Sequence, residues 1–210
     1  MRDQEIRAAL HETELKKFYE NGDLILDELG VCSGASRVDV AVINGALHGY
    51  EIKSDQDTLD RLPQQILSYS RVLDRVTLVA CDNHLNVALN MIPSWWGVMV
   101  PIEKNGNVKL KKIRRGKKNP SPDKISLCHM LWKYELIRVL ETKTDERGLA
   151  RKTRESLCHL LASLCTQRDI NKLVREVLTA RGDWRKASPF EKRRPQVSAE
   201  EVRSFFSALL

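Results

Sequence analysis

The sequence predicts a mixed α/β core followed by an all-α C-terminal region. Three observations carry this. Residues 24–53 contain three short β-rich runs separated by turn residues. Val76 to Cys81 (VTLVAC) is a short, wholly apolar run, as expected of a central strand buried on both faces. Beyond Asn119-Pro-Ser-Pro122 every remaining segment has helical spacing and helix-capping residues.

Taken in order, residues 3–20 place Ile6, Leu10 and Leu15 at loosely helical spacing among charges. They predict a surface helix with Asp3 at or near its N-cap, stopped by Asn21-Gly22. Leu24 to Leu29, Arg37 to Ile43 and Leu47 to Lys53 follow as strands, the last two joined by Asn44-Gly45, a strong hairpin signal. Thr58 to Leu73 sets Leu59, Leu62, Ile66, Leu67 and Leu73 on a helical stripe, with Pro63 marking a kink or a late start. His84 to Asn90 reads as a short helix; Trp96 to Ile102 and Val108 to Ile113 read as strands joined around Asn105-Gly106. Ser121 is the expected N-cap, with Pro122 at the first helical position, of one helix over Asp123 to Glu141. Arg151 to Cys165 forms a second, and Thr166 with Asp169 opens a third that ends near Gly182. A last helix starts at Ser198 with Glu201 at its third position. The domain expectation is a core with extra strands over 1–116 and a basic helical domain over 117–210.

Composition narrows the class. The 210 residues are 42% apolar and 30% charged, an ordinary globular balance. The longest apolar stretch, near Met91 to Ile102, is interrupted by two prolines and a serine and falls short of a membrane span. The start, MRDQEIRAAL, carries charges where a signal peptide needs an apolar run. Five cysteines cannot all pair and none is spaced as CxxC, so reduced thiols in a cytoplasmic setting are expected. The net charge of +7 conceals a split: residues 1–103 hold 9 basic and 16 acidic side chains, residues 104–210 hold 26 and 12. Such asymmetry suggests either carboxylates at work in one half and a polyanion held from the other, or Lys and Arg that merely solubilise helices.

One cluster carries chemistry: Asp39 in RVDVAVI, then Glu51 and Lys53 in HGYEIKS. A carboxylate inside a Val/Ile run is costly to bury unless it is paired or binds a metal. Two carboxylates and an ammonium on one hairpin suit metal-assisted phosphodiester hydrolysis, with hard oxygen ligands for Mg²⁺ and a lysine to orient water or offset phosphate charge. The reading needs both carboxylates on one side. A two-residue turn at Asn44-Gly45 pairs Asp39 with Tyr50 and points it away from Glu51. A three-residue loop, with a type I turn and Gly45 left-handed in a bulge, restores the register, and that form is predicted.

Asp39…Glu51-Ile52-Lys53 resembles the motif of the PD-(D/E)xK nuclease superfamily, the restriction-endonuclease-like fold, and the helix–three strands–helix–strand order resembles its core. Gln65-Ile-Leu-Ser-Tyr69 is similar to the Q-x-x-x-Y motif of the RecB-like branch; the two side chains share a helix face that could lie against the lysine or the substrate. The stretch YEIKSDQDTLDRLPQQ looks like a group of bacterial and prophage-associated proteins placed in that superfamily. The resemblance covers roughly residues 1–82, and Val38 stands where the motif has proline. It implies a Mg²⁺-dependent deoxyribonuclease, with Mn²⁺ able to substitute. Asp39 and Glu51 would be metal ligands, the Ile52 carbonyl a third, and Gln65 and Tyr69 supporting catalytic residues. Glu5 would be the first-helix acid, in competition with Glu12 and Glu28. The expected partner is DNA, double-stranded or branched, with RNA and homo-oligomerisation left open and no membrane. The alternative is a catalytically silent nucleic-acid-binding or partner-binding module on the same fold.

The remaining candidates have plainer readings. Cys128-His129, Cys158-His159 and Cys165 read as core thiols rather than a zinc site, because adjacent residues point to different helix faces. His48 reads as an ordinary strand histidine, and Trp95-Trp96 as core or interface. Lys104 to Lys118, with eight basic residues and no acid, suits either a phosphate-contacting ribbon or a solvated edge strand. The helices over 151–181 lack the glycine turn of a helix-turn-helix, and Lys192 to Arg194 is a small basic cluster.

Overall fold

The computed structural model describes residues 1–182; the helix expected from Ser198 and the Lys192–Arg194 cluster lie outside the described residues. Met1–Pro122 forms one unit and the chain from Asp123 a second.

The first unit opens with α1 (Asp3–Ala9), a π-helical turn (Leu10–Glu14) and α2 (Lys16–Glu20). Asp3 is the first helical residue, and the open Arg2 N–H donates to the Glu5 carboxylate at 2.6 Å. Residues five apart lie on different sides of an α-helix. The wider π turn, closed by Leu15 N–H to the Leu10 carbonyl at 3.0 Å, brings Leu15 back over Leu10. Ile6, Leu10 and Leu15 are all completely buried, so this segment roofs a core rather than lying on the surface.

Six strands follow in one sheet whose spatial order is the chain order: β1 (Leu24–Val31), β2 (Ser36–Ile43), β3 (Leu47–Lys53), β4 (Arg75–Ala80), β5 (Gly97–Lys104) and β6 (Asn107–Arg114). The β1–β2, β2–β3 and β5–β6 pairs are antiparallel; β3–β4 and β4–β5 are parallel. The parallel pairs need crossovers, supplied by α3 (Leu62–Val72) and α4 (Asp82–Met91). Pro63 falls in the first turn of α3, so the helix starts late and does not kink. Under α1 lies a core of Val40, Val42, Tyr50, Ile52, Val79, Cys81 and Met99. On the other face α3 presses so close that a Cβ on Gly49 would lie 2.6 Å from Leu73 Cδ1 and 2.9 Å from Val38 Cγ1. Gly49→Ala should therefore lower unfolding free energy by about 1–3 kcal/mol, read by urea denaturation; an unchanged midpoint would mean α3 does not sit this tightly.

The two Asn-Gly dipeptides make different turns. Asn105 and Gly106 both have positive φ and join Lys104 directly to Asn107, a tight two-residue connection. Ile43 pairs with Leu47, so the β2–β3 loop has three residues, as the site requires. Gly45 is nevertheless absent from the left-handed glycines, which corrects the expected bulge. The Asn44 side chain closes the loop instead, accepting from Ala46 N–H at 2.9 Å.

Lys117 N–H donates to the Trp95 carbonyl, and the Asn119 amide donates to the Ser70 and Leu73 carbonyls at 2.7 and 2.8 Å. These bonds tie residues 117–119 to the first unit. In the second unit the single helix expected over Asp123 to Glu141 is two, α5 (Lys124–Cys128) and α6 (Lys133–Glu141). The N-cap of α5 is Asp123, which accepts from Ser126 N–H at 2.7 Å, and not Ser121. The break is held by arginines remote in sequence: Arg154 donates to the His129 and Leu131 carbonyls, and Arg181 to that of Met130. α7 (Arg154–Leu164) starts at the N-cap Thr153, and α8 (Gln167–Arg181) at the Thr166/Asp169 capping box. None of the five cysteines forms a disulfide; burial pushes Cys128 up to about 12 and Cys158 up to about 11, as fits inert core thiols.

Candidate functional site

Burial along β1 and β2 should alternate, and at one row it does not. In β1 the buried positions run Leu26, then Leu29 and Val31. In β2, Ser36 donates to Ser68 of α3 at 2.8 Å and Val38 faces Leu73, while Val40 and Val42 belong to the core under α1. The switch falls at Glu28 and Asp39, set opposite each other by the flanking pairs Asp27–Val40 and Leu29–Val38. Glu28 carries φ +58°, a left-handed conformation that is costly for a residue with a Cβ. The β2–β3 ladder ends at Val40–Tyr50, and in the gap the Asp39 carboxylate accepts from Ile52 N–H at 2.7 Å, in place of a backbone partner. The strands part because a side chain stands between them.

The parting opens a cleft of about 800 Å³ lined by residues that include Asp39, Glu51, Ile52, Lys53 and Gln65. Glu51 and Lys53 are almost completely buried, 1% and 2% exposed, with Lys53 Nζ donating to Glu51 Oε1 at 2.8 Å. From α3, Gln65 Nε2 donates to the same oxygen at 2.6 Å, and the Tyr69 hydroxyl contacts Glu51 Oε2 at 2.6 Å and the Arg37 carbonyl at 2.5 Å. Gln65 and Tyr69 thus lie against the glutamate, not the lysine. Gln65 Oε1 is buried in the cleft wall with no partner, a free acceptor at the site. The Asp39 carboxyl is pushed up to about 7, first by burial and then by the neighbouring Glu51 charge.

A buried carboxyl whose ionisation is disfavoured by a neighbouring carboxylate, as Asp39 is by Glu51, suits a divalent cation shared between the two. Among the described residues no group of three or more His, Cys, Asp or Glu side chains is arranged to hold a metal ion. Asp39 and Glu51, with Ile52 also lining the cleft, are instead a sparse oxygen set of the kind Mg²⁺ uses when water and phosphate complete its shell. The residues present fit that ion.

Glu5 does not reach the cleft: it is exposed and occupied by Arg2 N–H at the helix start. The α1 residues that line the cleft are Asp3 and Arg7. Arg7 donates to Asp3 Oδ1 at 3.2 Å, to Glu28 Oε1 at 3.1 Å and to the Asp39 carbonyl at 2.8 Å. Arg37, Asp57, Arg61 and Gln64 complete much of the polar wall. The i, i+4 spacing of Asp3 and Arg7 was visible in the sequence; their aim at the β1–β2 kink was not. His48 lies on the opposite face from Glu51, stacked on Tyr50 with ring centroids 4.3 Å apart, and burial lowers its pKa to about 3. Trp96 is completely buried beside Tyr69. Among the described residues no helix is long and apolar enough to cross a membrane.

Fold and cleft together define a mixed α/β protein with a buried carboxylate–lysine group where two strands separate. The chain belongs to the bacteriophage P4 protein cII family, whose model matches residues 1–204. Protein cII of Enterobacteria phage P4 is 29% identical over 180 residues, covering 86% of this chain and 66% of that relative, so the chain spans just under two thirds of the relative's length. No solved structure matches the chain.

Proposed function

We propose that this chain is a metal-dependent nuclease of the PD-(D/E)xK type that hydrolyses DNA phosphodiester bonds. The observation that carries the reading is the meeting of Asp39, Glu51, Lys53, Gln65 and Tyr69 in one cleft, from strands and a helix that are separate in sequence. Asp39 and Glu51 would hold the divalent ion, with the Ile52 carbonyl as a third oxygen. Mg²⁺ bound there, or Mn²⁺ in its place, supplies polarisation of the phosphate and a more acidic water. Lys53 gives one of its three N–H donors to Glu51 and has others with which to orient the attacking water. Gln65 and Tyr69 fix the Glu51 carboxylate, and the free Gln65 Oε1 can accept a hydrogen bond from a water. The exposed lysines 109 and 111 of β6 offer backbone phosphate contacts without base recognition. Double-stranded and branched DNA are the first substrates to test, with RNA as a comparison.

The test is cleavage of linear, nicked, branched and single-stranded DNA in Mg²⁺ or Mn²⁺; cleavage that survives Asp39→Ala, Glu51→Ala and Lys53→Ala alike would remove the assignment. Metal binding should follow pH. Below about 7 a proton must leave Asp39 before an ion enters, so Mn²⁺ affinity should fall about tenfold per pH unit and level off above 7. Calorimetric titration at pH 5.5, 6.5 and 8 measures this, and a flat profile counts against Asp39 as ligand. A second reading has its own observation: both Glu51 oxygens are already satisfied within the protein. A silent nucleic-acid-binding module on this fold would bind DNA with steep salt dependence and no metal dependence.

A further inference from the structure

Arg7 bridges carboxylates at one end of the cleft. The strand register sets three carboxylates in a row across the sheet, Glu28 on β1, Asp39 on β2 and Glu51 on β3. Lys53 stands at the Glu51 end of that row, 2.8 Å away. Arg7 stands at the other end, 3.1 Å from Glu28 and 3.8 Å from Asp39 Oδ1, and also binds Asp3 at 3.2 Å. Its guanidinium is about four-fifths buried and is fixed by the Asp39 carbonyl at 2.8 Å, so it is built into the wall and does not wave in solvent. Glu28, which it binds, adopts the left-handed backbone that turns it toward the cleft, and Arg37 Nε holds its other oxygen at 2.8 Å.

We propose that Arg7 is a resident cation in the place of a second metal ion, so that the cleft takes a single divalent ion between Asp39 and Glu51. The inference rests on the metal-dependent reading above and deepens it. An arginine remains protonated at any working pH, and its planar fork can hold two carboxylates at once. A divalent ion placed beside it against Glu28 and Asp39 would meet a like charge at contact distance. The metal-free side of the row keeps a fixed donor that can face a phosphate oxygen. An ammonium or guanidinium does this without the dehydration a second Mg²⁺ requires.

Mn²⁺ titration of the full chain at pH 8, followed by the loss of the free-ion electron paramagnetic resonance signal, tests the proposal without nucleic acid or turnover. Wild type and Arg7→Lys should each bind one ion. Arg7→Gln, which takes the cation from Asp3 and from one Glu28 oxygen while Arg37 keeps the other, should bind two, and adding Glu28→Gln should return the count to one. Two ions on wild type, or a single ion on a folded Arg7→Gln chain, would overturn it. If Arg7→Gln does not fold, a second ion on wild type or on Arg7→Lys still overturns it, and one ion on each supports it. Absence of Mn²⁺ binding to wild type at all would remove the metal-dependent reading itself, and this inference with it. A purely structural role for Arg7 would change melting temperature and leave the ion count at one.

Discussion

On the proposed nuclease reading, Asp39→Asn is expected to cut DNA about 10²–10³-fold more slowly than wild type while unfolding at a higher temperature at pH 8. The two effects share one cause. In the folded protein burial and Glu51 push the Asp39 carboxyl up to about 7 from 3.8. The fold therefore binds this proton more tightly than the unfolded chain does. The stability this group contributes is complete below about pH 4 and is lost as pH rises through 7. The loss is of the order of 4 kcal/mol at pH 8 in the absence of metal. An amide keeps the acceptor for Ile52 N–H and never ionises, so the variant escapes the loss but cannot serve as an anionic ligand. Thermal unfolding at pH 4 and pH 8, beside a cleavage assay, measures both. Equal stability of the two chains at pH 8 would mean that Asp39 is not held under electrostatic load. Undiminished cleavage would take it out of the reaction.

Arg181→Met should destabilise the second unit by about 3–5 kcal/mol, the cost of a buried charge left without its partner. Arg181 Nη2 and Nε reach the two Glu135 oxygens at 2.5 and 3.0 Å, and both side chains are under 10% exposed. The guanidinium also lies 4.0 Å from the centre of the Trp132 ring, where a cation is attracted to the aromatic face. Adding Glu135→Leu should restore most of the loss, since removing both charges also removes the cost of burying them. Chemical denaturation of the single and double variants decides it. A single variant within about 1 kcal/mol of wild type would place this pair among weak surface bridges.

Much of the first unit was legible because its signals are local. Strand runs, the apolar β4 and the Pro63 start of α3 follow from side-chain size and backbone constraint within a few residues. The Asp39, Glu51 and Lys53 cluster stood out because charges inside β-branched runs are costly without a partner. The second unit was read less well between Asp123 and Glu141. Helical periodicity continues through Met130 to Trp132, and what breaks it is hydrogen bonding from Arg154 and Arg181, far along the chain.

The sequence by itself determined the mixed α/β class, the strand that carries each candidate ligand, and the shared helix face of Gln65 and Tyr69. It also led to the three-residue β2–β3 loop, since a two-residue turn puts Asp39 on the opposite face from Glu51. Only the tertiary structure decided how the carboxylates meet. The left-handed Glu28 and the parting of β2 from β3 reverse the strand faces at one row, and no residue spacing encodes that reversal. Tertiary packing also chose Asp3 and Arg7 over Glu5, because which side of α1 faces the cleft depends on the π turn that seats Leu10 and Leu15. Patterns along a chain fix which side chains share an element; which elements approach, and with what offset, is fixed by packing and by the pairing of buried charges.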